Sequence, residues 1–259
     1  MSHLTEAHAS MRFVRQIHPI SRDIDPWQVY ADVQFASHPA RPYLALNFVT
    51  SLDGRVTVNG RAAGLGSAVD RAIMRQLRAR ADALLVGAGT LRAEAIDPRV
   101  PPDLAQRREA DGRPPQPLFV LITAFGSLPD RKLFHMPDVQ RLIVSPRSAD
   151  MDRLRRIDPE AEIVVLGETW VDLAEAMRYL RGRGIGSVIC EGGPSVAGGL
   201  MAARLVDELF LTVAPTLVGG AGLRLLEGPF AAGGQKVAVN LVSAFEQDGE
   251  LFLRYYLQR

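Results

Sequence analysis

Short apolar runs recur along the chain and are separated by segments with helical spacing. Val69, Ile73 and Leu77 recur every four residues, which places them on one face of a helix. The apolar runs have the length and composition of buried strands, and they cover residues 43–49, 83–86, 118–123, 142–145, 163–166, 185–190 and 209–213. This alternation predicts a three-layer α/β fold, in which a mixed, mostly parallel central sheet is covered by helices on both faces.

The two ends of the chain differ from this pattern. Two apolar runs, 237–245 and 251–257, flank Gln247-Asp248-Gly249-Glu250, and an Asp-Gly pair in that position predicts a C-terminal antiparallel hairpin. Residues 1–40 show no sustained period, so we interpret them as an N-terminal arm that packs on a main domain of residues 41–259.

Two further segments are predicted to be turns or loops. Asp53-Gly54 favours a tight turn that leads into a strand at 56–58. Six prolines punctuate residues 98–117, which predicts a polar loop that either covers a ligand or is a solvated excursion.

Two glycine turns follow predicted strands. Gly87-Ala88-Gly89-Thr90 closes the run at 83–86, and Glu191-Gly192-Gly193-Pro194-Ser195 closes the run at 185–190. Glycines without a Cβ let the backbone approach a ligand closely, and the free amides at the start of the next helix attract an anion. Two such turns at the carboxyl ends of neighbouring strands indicate a nucleotide that lies across the sheet.

Composition narrows the choice of ligands and of compartment. A formal net charge of +1 argues against a general nucleic-acid surface. The single cysteine, Cys190, excludes an internal disulfide and a zinc site with several thiolates. Because the N-terminus resembles no secretion signal and no apolar run reaches the ~20 residues of a membrane span, we expect a cytoplasmic protein without a membrane partner.

Several common nucleotide and hydrolase motifs are absent from the sequence. The Rossmann fingerprint fails because Gly89 is followed by Thr90, Leu91 and Arg92 instead of by a third glycine at the required spacing. There is no Gly-Lys-Ser/Thr segment of a P-loop, no Pro-Cys-x-x-Cys pair of a zinc deaminase and no Gly-x-Ser-x-Gly elbow of a hydrolase.

An ordered set of motifs resembles the reductase domain of riboflavin biosynthesis, in the dihydrofolate-reductase-like superfamily. The motifs span roughly residues 44–220 and are Ser51-Leu52-Asp53-Gly54-Arg55, Leu77-Arg78-Ala79, Val86-Gly87-Ala88-Gly89-Thr90, Glu191-Gly192-Gly193-Pro194, Leu205-Val206-Asp207-Glu208-Leu209, Ala214-Pro215 and Gly219-Gly220. The zinc deaminase domain that precedes this domain in bifunctional relatives is missing here, so the resemblance implies a stand-alone pyrimidine reductase.

The resemblance implies a hydride transfer. Members of the family reduce a phosphoribosylamino-pyrimidine to its ribitylamino form with NADPH, normally as homodimers. The protein aligns the nicotinamide with the opened sugar and stabilises charge, so we expect neither a nucleophile nor a metal. A reductase of a pterin or another imine, and a nucleotide-binding module without turnover, remain as alternatives.

Cofactor contacts carried over from the family lie around both glycine turns. Glu94 stands where the family commonly has aspartate, and Thr90 either contacts the cofactor or caps a helix. The backbone near Ser195 and Val196 either meets the cofactor diphosphate or forms an ordinary strand-to-helix turn. The expected cofactor residues are Asn47, Thr50, Gly87, Gly89, Thr90, Glu94, Gly192, Gly193, Pro194, Ser195 and Val196.

Catalytic and substrate contacts are expected on four charged residues. Glu191 either contacts the substrate and relays a proton or caps the amides that follow it. Asp53 is the second catalytic candidate, although Asp-Gly is also a common turn sequence. Arg71 and Arg99 match family arginines near the substrate phosphate, where two guanidinium groups suit a phosphate monoester.

Two segments depart from the family pattern. Residues 61–66 lack the serine and tryptophan that the family often has there, which indicates a wider or differently polar pocket. Residues 122–126 lack the polar or basic residues that relatives often place beside the 2′-phosphate, and Arg147 is the candidate substitute. The expectation of NADPH rather than NADH therefore depends on the resemblance alone.

Overall fold

The computed structural model describes residues 14–62, 64–129, 131–234 and 236–258. The strands are β1 (Val14–His18), β2 (Arg22–Ile24), β3 (Tyr43–Ser51), β4 (Ala83–Gly87), β5 (Leu118–Ile122), β6 (Arg141–Ser145), β7 (Glu162–Val165), β8 (Ser187–Cys190), β9 (Glu208–Ala214), β10 (Val239–Gln247) and β11 (Glu250–Leu257). The α-helices are α1 (Ala68–Arg80), α2 (Ala88–Ala93), α3 (Pro102–Ala110), α4 (Met151–Ile157), α5 (Leu173–Gly182), α6 (Pro194–Ala202) and α7 (Pro229–Ala232).

All of these strands belong to one sheet, in the order β2-β1-β10-β11-β9-β3-β8-β4-β5-β6-β7. Every pairing from β9 to β7 is parallel, and the pairings of β11, β10, β1 and β2 are antiparallel. Asp248 and Gly249, both at positive φ, form the two-residue turn between β10 and β11, in agreement with the twist that such hairpins require. The mostly parallel sheet and the C-terminal antiparallel hairpin confirm the predicted fold class.

Helices cover the sheet on both faces because alternate strand residues point in opposite directions. Leu84 of β4 packs in a buried cluster with Leu77 of α1, whereas the next residue, Leu85, packs in a second cluster with Met177 of α5. Burying a large apolar side chain stabilises the fold by roughly 1.5–3 kcal/mol, so the two clusters are the main source of stability. They produce the predicted three layers.

The carboxyl ends of the parallel strands meet at one edge of the sheet, and helices begin shortly after two of them, β4 and β8. Helix α1 begins after Ser67, whose hydroxyl accepts hydrogen bonds from the amides of Val69 and Asp70 at 3.1 and 3.2 Å. Helices α2 and α6 begin within the two glycine turns, directly after their N-cap residues Gly87 and Gly193. In open α/β sheets this edge is where ligands bind.

The structure differs from the sequence predictions in three segments. Residues 56–58 form no strand, because the Val56 amide donates to the Leu223 carbonyl at 3.0 Å and Val58 pairs with Arg61 in an isolated bridge. The predicted loop at 98–117 contains α3, since Pro102 occupies the first turn, where a helix tolerates proline. The arm contributes β1 and β2 to the sheet edge beside β10, and its residues 1–13 lie outside the described part of the chain.

Candidate active site

The two glycine turns touch each other. The amide of Gly87 donates to the carbonyl of Gly192 at 2.6 Å. A methyl group on Gly87 would lie 2.8 Å from Val196 Cγ2, and one on Gly193 would lie 3.1 Å from Thr90 Oγ1. Glycine at both positions therefore lets the two turns lie in contact, and a side chain at either position would push them apart.

Both turns line a single cavity of about 1800 Å³. This volume exceeds the 300–1,000 Å³ of a typical small-ligand site and accommodates a dinucleotide beside a second ligand. The cavity lining includes most of the residues predicted from the sequence, namely Asn47, Gly87, Gly89, Thr90, Glu94, Gly192, Gly193, Pro194, Ser195, Val196, Arg71, Arg99 and Glu191.

The first turn of α6 points unpaired amides into this cavity. Pro194 occupies its first position, and no side chain caps Gly193. The amides of Ser195 and Val196 belong to the four at a helix start that lack an intrahelical partner, and both residues line the cavity. Free amides and the helix dipole together make this turn suited to a phosphate group.

A buried ion pair joins Glu191 to Arg78 in the wall of the cavity. Arg78 Nε donates to Glu191 Oε1 at 2.8 Å and Nη2 to Oε2 at 2.6 Å, while Nη1 donates to the Asp97 carbonyl at 2.7 Å. Burial lowers the pKa of the Arg78 guanidinium, but the charge and hydrogen bonds of Glu191 outweigh the effect of burial, so the pKa is raised overall. Glu191 thus does not cap the turn that follows it, and the pair presents a fixed carboxylate to the cavity.

The remaining predicted charged residues in the lining have partners of their own. Glu94 accepts a hydrogen bond from the Ala62 amide at 2.6 Å and so ties the segment before α1 to the first glycine turn. Arg71 donates to the Gly66 carbonyl at 3.0 Å. Arg99 pairs with Asp97 at 2.7 Å and keeps about a third of its side chain exposed. Arg71 therefore keeps donors for an anionic ligand, whereas a ligand phosphate at Arg99 would compete with Asp97 for the guanidinium.

Thr50, Asp53 and Arg147 are not among the lining residues. Thr50 is buried in β3. Arg147 is exposed on the surface, where it pairs with Glu168 at 3.2 Å. Asp53 accepts hydrogen bonds from the Ser51 hydroxyl and from the amides at 218 and 219, and these bonds lower the pKa of its carboxyl. Its placement favours the turn alternative over a catalytic role.

Replacing Asp53 with alanine separates these two roles. We expect a lower melting temperature at neutral pH with little change in kcat, because the substitution removes the acceptor for two loop amides. Since the folded pKa is below the unfolded value, this stabilisation is present at neutral pH and is lost as the pH falls through the acid range. Melting curves at pH 7 and in acid measure this effect, and a fall in kcat at unchanged melting temperature would support the catalytic role.

Asp70 is a further carboxyl in the cavity lining that the sequence did not single out. It lies in the first turn of α1, packs against Gly66 and bonds to Thr212. Burial, assisted by the charges of Glu250 and Glu191, raises the pKa of Asp70 to about 6. The carboxyl therefore changes its charge near neutral pH.

Replacing Asp70 with asparagine is expected to stabilise the protein at pH 8. Because the folded pKa exceeds the unfolded value, the wild-type carboxyl favours folding below about pH 4, and this contribution disappears as the pH rises through 6. The variant should gain about 1–3 kcal/mol over wild type at pH 8 and much less at pH 4.5. Urea unfolding at both values measures the difference, and an equal gain at both would contradict the assigned pKa.

The described residues contain neither a metal-ligand cluster nor a membrane-spanning helix. No group of three or more metal-ligating side chains occurs there. No described helix is long and apolar enough to cross a membrane. Cys190 is buried, and burial raises the pKa of its thiol to about 12, so it is not a reactive nucleophile.

Comparison with known proteins identifies the family of this site. Residues 42–251 match the family model described as the RibD C-terminal domain. The chain belongs to this family. The sequence is 31% identical over 184 residues to the 2,5-diamino-6-ribosylamino-4(3H)-pyrimidinone 5′-phosphate reductase of Archaeoglobus fulgidus, covering 70% of this chain and 83% of that protein.

Two further comparisons agree with this family. The protein of the same name from Methanothermobacter thermautotrophicus is 29% identical over 186 residues, covering 72% of this chain and 83% of the relative. The crystal structure of a pyrimidine reductase-like protein from Corynebacterium diphtheriae superimposes with a TM-score of 0.81 at 25% identity, over 91% of this chain and all of that chain. The cavity described above is consistent with a nicotinamide cofactor.

Proposed function

We propose that this protein is an NADPH-dependent reductase that converts a 5-phosphoribosylamino-pyrimidine to its ribitylamino form in a riboflavin-type pathway. One observation carries the proposal: the two glycine turns of the RibD C-terminal domain family touch within one arginine-lined cavity. The names of the two archaeal relatives give the same reaction class and a phosphorylated substrate.

The residues at the glycine turns fit a dinucleotide. The free amides of Ser195 and Val196 would hold the diphosphate, and the glycines would let the diphosphate come close to the protein backbone. Thr90, Glu94 and Asn47 supply polar groups to the same wall. A bound nicotinamide supplies a hydride, while the protein contributes position and electrostatics.

The charged residues of the lining fit the substrate. Arg71 and Arg99 would bind the phosphate, because exposed guanidinium groups donate paired hydrogen bonds to phosphate oxygens. Glu191, held by Arg78, would accept hydrogen bonds from the pyrimidine or the sugar chain. A carboxylate fixed on both oxygens positions its ligand without a change of rotamer, which favours alignment of the reacting carbon.

An assay with two substrates tests the proposal. Purified protein is mixed with NADPH and with either the 2,5-diamino-pyrimidinone ribotide or the corresponding amino-uracil ribotide, and absorbance at 340 nm is followed. Mass spectrometry should show a product two hydrogen masses heavier than the substrate. No oxidation above blank with either ribotide would reject the proposal, and oxidation with dihydropterins alone would favour the pterin alternative.

The resemblance to the family also supports proposals on the oligomeric state of the protein and on its cellular location. We propose a homodimer in the cytoplasm, formed by a main domain of residues 41–259 with residues 1–40 as its arm. Light scattering during gel filtration measures the assembly, and a monomeric mass at working concentration would reject the dimer.

A further inference from the structure

Two aromatic side chains are exposed at the wall of the cavity, far from the predicted substrate residues in sequence. Phe125 follows β5 and Trp170 precedes α5, and each exposes 66% of its surface. Their rings pack edge to face with centroids 5.7 Å apart, and both residues line the same cavity as the glycine turns. Exposed aromatic rings in a nucleotide cavity offer faces on which a base stacks.

The turns that carry these rings are fixed in place. Gly126 and Gly167 adopt positive φ, and a side chain at either would collide with backbone, of Asp150 in the first case and of Trp170 in the second. The amide of Asp172 closes the second turn with a bond to the Leu166 carbonyl at 3.1 Å. The backbone that carries the aromatic pair is therefore set before any ligand binds, which lowers the entropic cost of ordering these turns.

One basic side chain lies between the aromatic pair and the first glycine turn. Arg92 of α2 lines the cavity, and its Nη1 donates to the carbonyl of Ser127, two residues beyond Phe125, at 3.2 Å. Its Nη2 lies 3.9 Å from the position that a Cβ on Gly89 would occupy. Within the described residues no carboxylate pairs with this guanidinium, so it is available to an anion.

We propose that Phe125, Trp170 and Arg92 form the subsite for the adenosine 2′-phosphate end of the cofactor, in which the Trp170 ring, supported at its side by Phe125, stacks on the adenine and Arg92 binds the 2′-phosphate. This inference rests on the proposed function. It assigns the recognition of NADPH over NADH to Arg92 and withdraws it from Arg147, whose side chain is outside the cavity lining and paired with Glu168.

Binding measurements test the subsite without turnover. Calorimetry with NADPH, NADH, 2′,5′-ADP and 5′-AMP gives affinities for the wild type and for Arg92→Gln, Arg147→Gln and Trp170→Ala. Arg92→Gln should weaken NADPH and 2′,5′-ADP by about tenfold or more and leave NADH and 5′-AMP within about twofold, because only the phosphorylated ligands lose a charge-assisted bond. Arg147→Gln removes an equal charge and should change none of the four affinities.

The aromatic half of the subsite has its own prediction. Trp170→Ala should weaken all four ligands by a similar factor, about fivefold or more, because stacking does not depend on the phosphate. Ligand binding should also quench the tryptophan fluorescence of the wild type, and this quenching should be lost in the variant. Melting curves confirm that each variant is folded, and Trp170→Phe, which keeps an aromatic face, should restore most of the affinity.

The outcomes separate this inference from the proposed function. If the wild type binds NADPH but Arg92→Gln leaves the NADPH to NADH ratio unchanged, or Arg147→Gln alters it, the subsite is wrong and the reductase proposal stands. If Trp170→Ala changes no affinity, the aromatic half is wrong. If the folded wild type binds none of the four ligands, both proposals fail together.

Discussion

Replacing Arg78 with methionine is expected to lower the free energy of unfolding by about 3–5 kcal/mol, the usual cost of removing one partner from a buried ion pair. Glu191 would lose its counter-charge in the cavity wall and both of its short bonds to the guanidinium. Turnover should fall by about a hundredfold or more, since small displacements of a positioning group have costs of that size. Urea unfolding and steady-state kinetics measure the two effects.

A double-mutant cycle isolates the pair from the rest of the wall. Glu191→Gln alone leaves Arg78 without a counter-charge, and the combined Arg78→Met and Glu191→Gln variant removes both charges. The double variant should recover much of the stability lost by Arg78→Met and none of the turnover. If instead the two single effects simply add, the pair has no coupling and the carboxylate is held by other contacts.

Replacing Gly87 with alanine is expected to weaken NADPH binding by about ten- to a hundredfold. The added methyl group would overlap Val196 Cγ2 and crowd the Gly193 amide, at 2.8 and 3.0 Å, so the two turns must separate. Overpacking of this kind costs typically 1–3 kcal/mol. Because NADPH binding would have to bring the separated turns together again, this cost corresponds to the stated loss of affinity. Calorimetry with NADPH measures it directly.

Gly182→Ala provides a matched control for this substitution. Gly182 lies at the end of α5, and a Cβ there meets no atom within 4 Å. The control should leave NADPH affinity unchanged, because it adds the same methyl group at a position that is not part of the cavity lining. Equal affinities for Gly87→Ala and wild type would contradict the close contact of the turns.

The fold was accessible from the sequence because its signals are local. The alternation of apolar runs with helical spacing predicted the parallel core, and Asp248-Gly249 predicted the hairpin, since each depends on residues close together in the chain. Helix α3 was missed because Pro101 and Pro102 read as loop signals, although proline in the first turn is compatible with a helix. The short strands β1 and β2 carry too few residues to show a period.

The candidate site was accessible only in part because its partners are distant in sequence. Glu191 could be found from its motif, but its pairing with Arg78 spans 113 residues and depends on the packing of α1 against β8. The same applies to Arg92, whose contact with Ser127 appears only after β4 and β5 pair. The sequence pointed to Arg147 instead. Only the strand order of the folded sheet shows that Arg147 lies outside the cavity lining.

A crystal structure of the protein with NADPH tests the central claim most directly. The diphosphate should lie against the amides of Ser195 and Val196, between the turns that contain Gly87 and Gly193, with the adenine beside Trp170. A fully occupied NADPH whose diphosphate contacts neither turn would contradict the shared cleft and the reductase chemistry that depends on it.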